Sequence, residues 1–210
     1  MQLIFLFEWI NKFRFLIRFR SFTVGFFTLL SISCYCQKII NTDIFEVNYS
    51  EQLEQPLWLK YEISCVNGKL TRPQIDFRKV KGTHTSDNFD YENNIWDKGH
   101  LAPSATFNCN KDMQESTFTF LNCALQHNKL NQGPWYQLEE FERNLANFYK
   151  VNVKIDLVFD DSSIILPTGA TIASFFIKTI QFGSESIIVK FPNKDVSGRK
   201  WSEFIILQNN

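Results

Sequence analysis

One stretch of this chain constrains its fold and its chemistry more than any other. The segment Asp97–His100, with the sequence DKGH, is followed by Asn122, by Asn131 and then by Glu139. One histidine, two side-chain amides and a further carboxylate therefore lie within a short part of the chain. The apolar residues around them predict two strands and a helix, so these polar residues belong to regular elements rather than to one loop.

This set of side chains suits the hydrolysis of a phosphodiester with one metal ion. His100 has an unperturbed pKa near neutrality, so it can accept a proton from water at working pH. The amide oxygen of Asn131 can bind Mg²⁺, which prefers hard oxygen ligands and keeps most of its waters. The Glu139 carboxylate can hydrogen-bond those waters and fix the coordination shell of the ion.

Four residues at helical spacing, Asn131, Trp135, Glu139 and Arg143, form the second half of this pattern. An α-helix turns about 100° per residue, so side chains four apart project to one side. Two interpretations fit: a metal-binding face whose arginine meets phosphate, or an asparagine cap followed by an exposed Glu–Arg pair. The presence of His100 upstream favours the first.

Apolar periodicity predicts an α+β fold with a β-rich core and one helix that carries part of the site. Asn67-Gly68 predicts a hairpin turn, and residues 37–56 predict an irregular N-terminal arm ahead of a domain over 57–210. Strands are predicted over 57–66, 94–101, 118–125, 151–159, 164–166, 175–180 and 187–191, and helices over 111–117 and 134–149.

The first 36 residues predict an export leader. Four basic residues over 12–20 precede an uncharged apolar run over 22–35, which is the pattern of a secretion signal. The run is shorter than the roughly 20 residues of a membrane span, so no stable span is expected after cleavage near Gln37. A secreted or periplasmic protein is expected, and a lipid anchor at Cys34 is a weaker alternative.

The net charge of zero conceals a difference between the leader and the rest of the chain. The leader has four basic residues and one acidic residue, so acidic residues outnumber basic ones by three in the remainder. Binding of nucleic acid would therefore need a local basic patch. Candidates are Lys69, Arg72, Arg78, Lys79, Lys81 and Lys98, although Lys79 and Lys81 fit a solvated loop equally well.

Cys65, Cys109 and Cys123 remain beyond the leader. In an exported protein they allow one disulfide and one free thiol. Proximity in sequence favours the pair Cys109–Cys123, while the connectivity stays open. A zinc site from Cys109, Cys123 and His127 is a weak alternative, because the spacing contains no CxxC pair.

Three segments together resemble a known family. DKGHLAPSATF (97–107), FLNCALQ (120–126) and LNQGPWYQLEEFER (130–143) are similar, in order and spacing, to the motifs of the DNA/RNA non-specific endonuclease family, which includes mitochondrial endonuclease G. The similarity extends from about Trp58 to about Asn193. Lys98 stands where the family usually has arginine, which keeps the charge but loses the forked, bidentate grip on phosphate.

The resemblance implies a single domain with a mixed or antiparallel β core and a ββα-metal motif. It implies that His100 is the general base, oriented by Asp97, and that Gly99 lets the backbone turn tightly. Asn122 would help to organise the metal and the histidine, and Asn131 would be the metal ligand.

The resemblance also assigns the charged residues. Glu139 would meet the waters of the metal, while Arg72 and Arg143 would add positive charge at the phosphate. Lys98 and Arg78 would contact the substrate, and Arg78 competes with Arg72 for the position ahead of the histidine motif.

The expected protein is a secreted endonuclease that cleaves DNA and RNA with Mg²⁺, with Mn²⁺ or another divalent ion as alternatives. A nucleic-acid-binding protein of the same fold with impaired catalysis is the second hypothesis. An exported interaction protein is the third, and the ordered spacing of the motifs argues against it. The sequence leaves the oligomeric state open.

Overall fold

Three antiparallel sheets account for the strands of this chain in the computed structural model, which describes residues 37–206. One sheet has six strands in the order β1-β2-β3-β6-β9-β10, and the pairs β4–β5 and β7–β8 form the other two. The strands are β1 (Gln37–Asn41), β2 (Phe45–Ser50), β3 (Gln55–Ile63), β4 (Trp96–His100), β5 (Cys123–His127), β6 (Val151–Val158), β7 (Ile164–Ile165), β8 (Thr171–Ile172), β9 (Phe175–Phe182) and β10 (Glu185–Pro192).

Two helices lie between strands: α1 (Lys111–Ser116) and α2 (Tyr136–Leu145). A helical turn at Asn128–Leu130 and a π-type turn at Asn131–Trp135 lead from β5 into α2. The α-helix therefore covers only Tyr136–Leu145 of the predicted range 134–149, because residues 131–135 form the π-type turn, which contains the non-helical Gly133. Short 3₁₀ turns occur at Asn88–Tyr91, Ser104–Phe107, Phe120–Asn122 and Trp201–Phe204.

The core lies between the large sheet and the segment that contains α2. Along β6 every second side chain is buried, from Val151 to Leu157, as expected for a strand with one face covered. Trp135 packs with its ring centroid 5.4 Å from that of Phe176 and 5.7 Å from that of Phe191. The helix is thereby fixed on the sheet by buried aromatic contacts.

The prediction of an irregular N-terminal arm over 37–56 is wrong. These residues form β1, β2 and the start of β3, and Phe45 and Val47 pair in register with Tyr61 and Leu59. Phe45, Val47 and Tyr49 are buried, whereas the polar residues between them face outward or are partly exposed. The alternation of apolar and polar residues over 45–49 indicates a strand with one buried face, and it is visible in the sequence.

The favoured cysteine pairing is also wrong. The disulfide joins Cys65 to Cys109, with Cα atoms 5.7 Å apart, and leaves Cys123 free. Cys123 lies in β5 with its sulfur 3.3 Å from the Tyr91 hydroxyl, and burial raises the pKa of its thiol to about 12. Nearness in sequence misled the prediction because Cys123 is fixed within a buried strand.

The hairpin predicted at Asn67-Gly68 does not form. After β3 the chain runs to the disulfide and then beside Asn108, whose side-chain amide donates to the Gly68 carbonyl at 3.2 Å. A Cβ atom at Gly68 would lie 1.9 Å from Asn108 Oδ1. Glycine is therefore required here by the close approach of Asn108.

The α+β class with antiparallel sheets is confirmed. β4 and β5 pair antiparallel, with His100 opposite Cys123, and the chain then enters α2, so two strands and a helix carry the predicted site residues. All described residues belong to one compact unit. Within residues 37–206, no helix has the length and apolar character needed to cross a bilayer. The predicted leader lies outside the described residues.

Candidate active site

A cleft of about 550 Å³ brings together six of the predicted site residues from four separate segments. Side chains from β4, α2, the turn before α2 and the segment that follows β3 line it. The predicted residues in its wall are Arg72, Lys98, His100, Asn131, Glu139 and Arg143. Asp97, Asn122 and Arg78 do not line it, and each of them makes other contacts.

His100 lies at the end of β4 between two phenylalanine rings. Its ring centroid is 4.6 Å from that of Phe77 and 4.8 Å from that of Phe118, and only 7% of the residue is exposed. Nε2 lies 3.5 Å from Thr117 Oγ1, and Nδ1 has no hydrogen-bond partner within residues 37–206. One ring nitrogen is therefore left to accept a proton.

Burial and the nearby guanidinium of Arg72 lower the pKa of His100 to about 3. Burial is the larger cause, because an imidazolium ion loses more hydration than a neutral ring does. The ring is consequently neutral at physiological pH, which is the form that acts as a base.

Asp97 does not orient the imidazole, contrary to the expectation. Residues 97 and 100 point to opposite faces of β4, because side chains alternate along a strand. Its Oδ2 accepts a hydrogen bond from Asn131 Nδ2 at 2.9 Å and another from Gln132 Nε2 at 2.8 Å. Asp97 thereby fixes the orientation of the Asn131 amide through its nitrogen, which leaves the amide oxygen available to bind a metal ion.

Asn122 is a positioning residue rather than part of the cleft wall. It is fully buried, and its Oδ1 accepts from the Ala102 backbone N–H at 2.7 Å. Its Nδ2 donates to the carbonyls of Ala102 and Thr117, both at 2.9 Å. These buried hydrogen bonds hold Ala102, just after His100, close to Thr117, which contacts the imidazole.

Gly99 is needed for a reason other than a tight turn. A Cβ atom at this position would lie 2.5 Å from Gln126 Oε1 and 2.7 Å from Gln126 Cβ, on the neighbouring strand. The buried side chain of Gln126 occupies the space beside Gly99, so only glycine fits there.

The α2 residues of the cleft carry opposite charges. Partial burial raises the pKa of Glu139 to about 7, an effect that Lys178 and Arg143 oppose and Glu142 reinforces. A cation in the cleft would favour the ionised carboxylate. Arg143 Nη1 is buried without a hydrogen-bond partner in the described chain. Such an unpaired donor fits an anionic ligand at this wall.

A charged pair that sequence analysis missed lies beneath this helix. Lys178 of β9 and Glu142 of α2 are both fully buried, with Nζ 2.8 Å from Oε1. Their geometry is that of an ion pair rather than of an aligned hydrogen bond. Tyr61 donates its hydroxyl to Glu142 Oε2 at 3.0 Å, and Lys178 Nζ lies 4.4 Å from the Trp135 ring centroid. Strand alternation was an available signal, because Lys178 shares a face with Phe176 and Ile180.

The predicted basic residues differ in how available their charged groups are to a phosphate. Lys98 Nζ lies 2.6 Å from Asp76 Oδ1 and 2.7 Å from Asn88 Oδ1, so an acidic neighbour already holds its charge. Arg72 is exposed and stacks over the Phe118 ring at 5.2 Å. Arg78 lies outside the cleft wall, and its guanidinium donates to the Glu115 carbonyl at 3.0 Å. Arg72 is therefore the better candidate for the phosphate contact.

The donors in the cleft suit a hydrated hard cation. Asn131 offers an amide oxygen and Glu139 a carboxylate, and a divalent ion that keeps several waters needs few protein ligands. No group of three or more His, Cys, Asp or Glu residues suited to a metal occurs within residues 37–206. The zinc alternative is wrong, because Cys109 is in the disulfide.

Two strands, a helix and a cleft shared by His100 and Asn131 form a ββα-metal type of site. Comparison with known proteins agrees with this class. The model of the DNA/RNA non-specific endonuclease family matches residues 33–207. The chain belongs to this family.

Curated relatives are similar over part of their length. Mitochondrial endonuclease G of Homo sapiens is 31% identical over 107 residues, 49% of this chain and 36% of the relative. The mitochondrial nuclease EXOG of Danio rerio is 29% identical over 105 residues, 48% of this chain and 31% of the relative. The matched stretch thus spans about a third of these relatives.

A solved structure shares the fold over most of the chain. It is described as the EndoG/EndoGI complex and concerns the inhibition of EndoG. A chain of it superposes with a TM-score of 0.68 at 20% identity, and the match covers 80% of each chain. At this identity the likeness concerns the fold alone.

Proposed function

We propose that this protein is a metal-dependent endonuclease that hydrolyses phosphodiester bonds of DNA and RNA. The observation that carries the proposal is that His100 and Asn131 line one cleft, each with an atom available for the reaction. His100 has a neutral ring whose Nδ1 has no partner in the described chain, and Asn131 is held by Asp97 with an amide oxygen that accepts no hydrogen bond there. Membership of the family supports the same reaction.

The side chains of the cleft have different roles in the proposed reaction. His100 Nδ1 accepts the proton of the attacking water, and the imidazole becomes an imidazolium. Arg72 and Arg143 bind the phosphate oxygens and stabilise the charge that develops on them. A phosphate bound at Arg72 also offsets the guanidinium charge that lowers the His100 pKa, so substrate binding makes the imidazole a stronger base.

Asn131 would hold the metal directly, and Glu139 would hydrogen-bond its waters. Mg²⁺ is the ion proposed, with Mn²⁺ as an alternative, because an amide and a carboxylate are hard oxygen donors. When bound, the ion supplies positive charge for the phosphate and for the leaving oxygen.

A binding protein with impaired catalysis is the second candidate. The ion pair of Lys98 with Asp76 favours it, because that lysine is less available to phosphate than a free arginine would be. Digestion of plasmid DNA and of RNA, with Mg²⁺ or with chelator, tests the proposal. Metal-dependent cleavage supports the nuclease, and binding without cleavage in any divalent metal would support the second candidate.

Asn131→Ala is expected to raise the Mg²⁺ concentration needed for half-maximal activity by at least roughly 10- to 100-fold, the loss that even outer-shell partners of a metal cause when they are replaced. The reason is loss of the proposed direct ligand, while the arginines at the phosphate remain. Activity titrated against Mg²⁺ measures this, and duplex binding in chelator should change little. Asn128→Ala, one turn earlier and outside the cleft wall, is the matched control. An unchanged titration for Asn131→Ala would remove this residue from the metal site.

We further propose that the protein is exported after cleavage near Gln37, with residues 1–36 removed. The basic segment and the apolar run support this, and a lipid anchor at Cys34 is the alternative. N-terminal sequencing and mass measurement of secreted protein should give a chain that starts near Gln37. Retention of the leader in the secreted chain would refute the proposal.

A further inference from the structure

A second concave surface adjoins the cleft and has cationic walls. We call it the basic groove and define it by Lys129, Gln132, Gln137, Arg199 and Lys200. Its volume is about 500 Å³, close to that of the cleft. Gln132 lines both surfaces, and its side chain is fixed by the hydrogen bond to Asp97. The two concavities therefore adjoin each other at Gln132.

Acidic residues outside the lining offset only part of the positive charge of the basic groove. No acidic side chain of the described chain lines it, and neither Lys129 nor Lys200 forms a salt bridge within residues 37–206. Arg199 is paired through Nε with Glu203 at 2.5 Å. Asp195 lies near Lys129 and Glu203 lies near Lys200, but neither acid lines the groove or forms a salt bridge with these lysines. This cluster of positive charge contrasts with the rest of the chain, since beyond the leader acidic residues outnumber basic residues by three.

We propose that the basic groove binds backbone phosphates of the nucleic-acid strand next to the bond held in the cleft. This rests on the proposed function, because it extends the substrate beyond the cleft. A single strand carries one phosphate per about 3.4 Å of helix axis, so a strand that leaves the cleft on the side of Gln132 would place further phosphates on the adjoining surface. Lys129 and Lys200 then supply contacts that are independent of base sequence.

A third concave surface provides a matched control. It is similar in volume, about 590 Å³, and is also lined by two lysines, Lys60 and Lys154. Each lysine lies against an acid, Lys60 Nζ 2.7 Å from Glu46 and Lys154 Nζ 2.6 Å from Asp156. Removing these two lysines changes the net charge as much as removing the groove lysines.

The experiment compares Lys129→Ala/Lys200→Ala with Lys60→Ala/Lys154→Ala and with the parent chain. Binding to a short fluorescent duplex of mixed sequence is measured in chelator over a range of salt concentrations. Each lost phosphate contact reduces the slope of log K against log salt by about 0.9, so the groove variant should be shallower by 1 to 2. KM for a long duplex should rise, and the rise should be smaller for a dinucleotide. The control variant should behave like the parent.

The experiment distinguishes failure of the basic-groove proposal from failure of the proposed function. A groove variant with the slope and KM of the control, in a parent that cleaves nucleic acid, would overturn the basic groove and leave the nuclease intact. A parent chain that neither binds nor cleaves nucleic acid would overturn the proposed function and the groove with it. Circular dichroism and thermal melting of both double variants verify that they are folded before the comparison.

Discussion

Replacement of His100 by alanine is expected to lower turnover by roughly 10²–10⁴-fold, which is the usual contribution of a positioned general base. The affinity for a duplex in chelator should change little, because lysine and arginine side chains make the phosphate contacts. Turnover on plasmid DNA and binding to a short duplex measure the two quantities. Parental turnover in a folded His100→Ala protein would refute the mechanism.

The environment of His100 decides how this variant must be controlled. A solvated histidine could be removed without loss of stability, but this ring fills the space between Phe77 and Phe118. His100→Gln fills more of that space without an imidazole, so it separates a catalytic loss from a packing loss. His84→Ala removes an exposed histidine paired with Glu54 and serves as the surface control. Thermal melting of all three variants accompanies the kinetics.

The pH dependence follows from the same environment. Because the His100 pKa is lowered to about 3, the base of the free protein stays neutral through the mildly acidic range, and its protonation should lower kcat/KM only near pH 3. The unfolded chain binds this proton near pH 6.5 and the folded chain does not, so His100 costs stability as pH falls from 6.5 towards 3. His100→Gln should lack that part of the acid destabilisation, as measured by urea unfolding against pH.

The second large effect is expected for Lys178→Met, which should lower the free energy of unfolding by roughly 3–5 kcal/mol. The substitution leaves the Glu142 carboxylate buried without its cation, beneath the helix that carries Glu139 and Arg143. Urea unfolding at neutral pH measures the loss. Lys154→Met, at an exposed pair with Asp156, should stay within about 1 kcal/mol of the parent.

A double variant separates the buried charge from lost packing. Lys178→Met/Glu142→Gln removes both charges and keeps an acceptor for the Tyr61 hydroxyl, so it should recover most of the stability lost in Lys178→Met. A loss in Lys178→Met no larger than in Lys154→Met would contradict the buried pair. A double variant as unstable as the single one would assign the loss to packing.

Much of the site follows from the order of residues along the chain. The motif around His100 and the helical spacing of Asn131, Glu139 and Arg143 predicted residues that do share one cleft. Local spacing is enough there, because β4, α2 and the turn before α2 carry five of the six predicted residues in the wall. The strands β3, β6, β9 and β10 follow from alternation for a similar reason, since each has one buried face.

Residues that meet only through the fold could not be assigned in this way. The family resemblance implied that Asp97 orients His100. In β4 the two side chains instead lie on opposite faces, and Asp97 accepts a hydrogen bond from Asn131. The pairing of Cys65 with Cys109 depends on where β3 ends relative to the segment before α1.

The sequence by itself determined the family and the α+β class, and it predicted His100 as the base and Asn131 as the metal ligand, because these inferences depend on residue type and local spacing. Only the tertiary structure decided that His100 is buried and neutral, that Asn122 acts through backbone hydrogen bonds, and that Lys178 neutralises Glu142 under the site. The physical reason is that desolvation and ion pairing depend on neighbours from distant parts of the chain, and local periodicity carries no record of them.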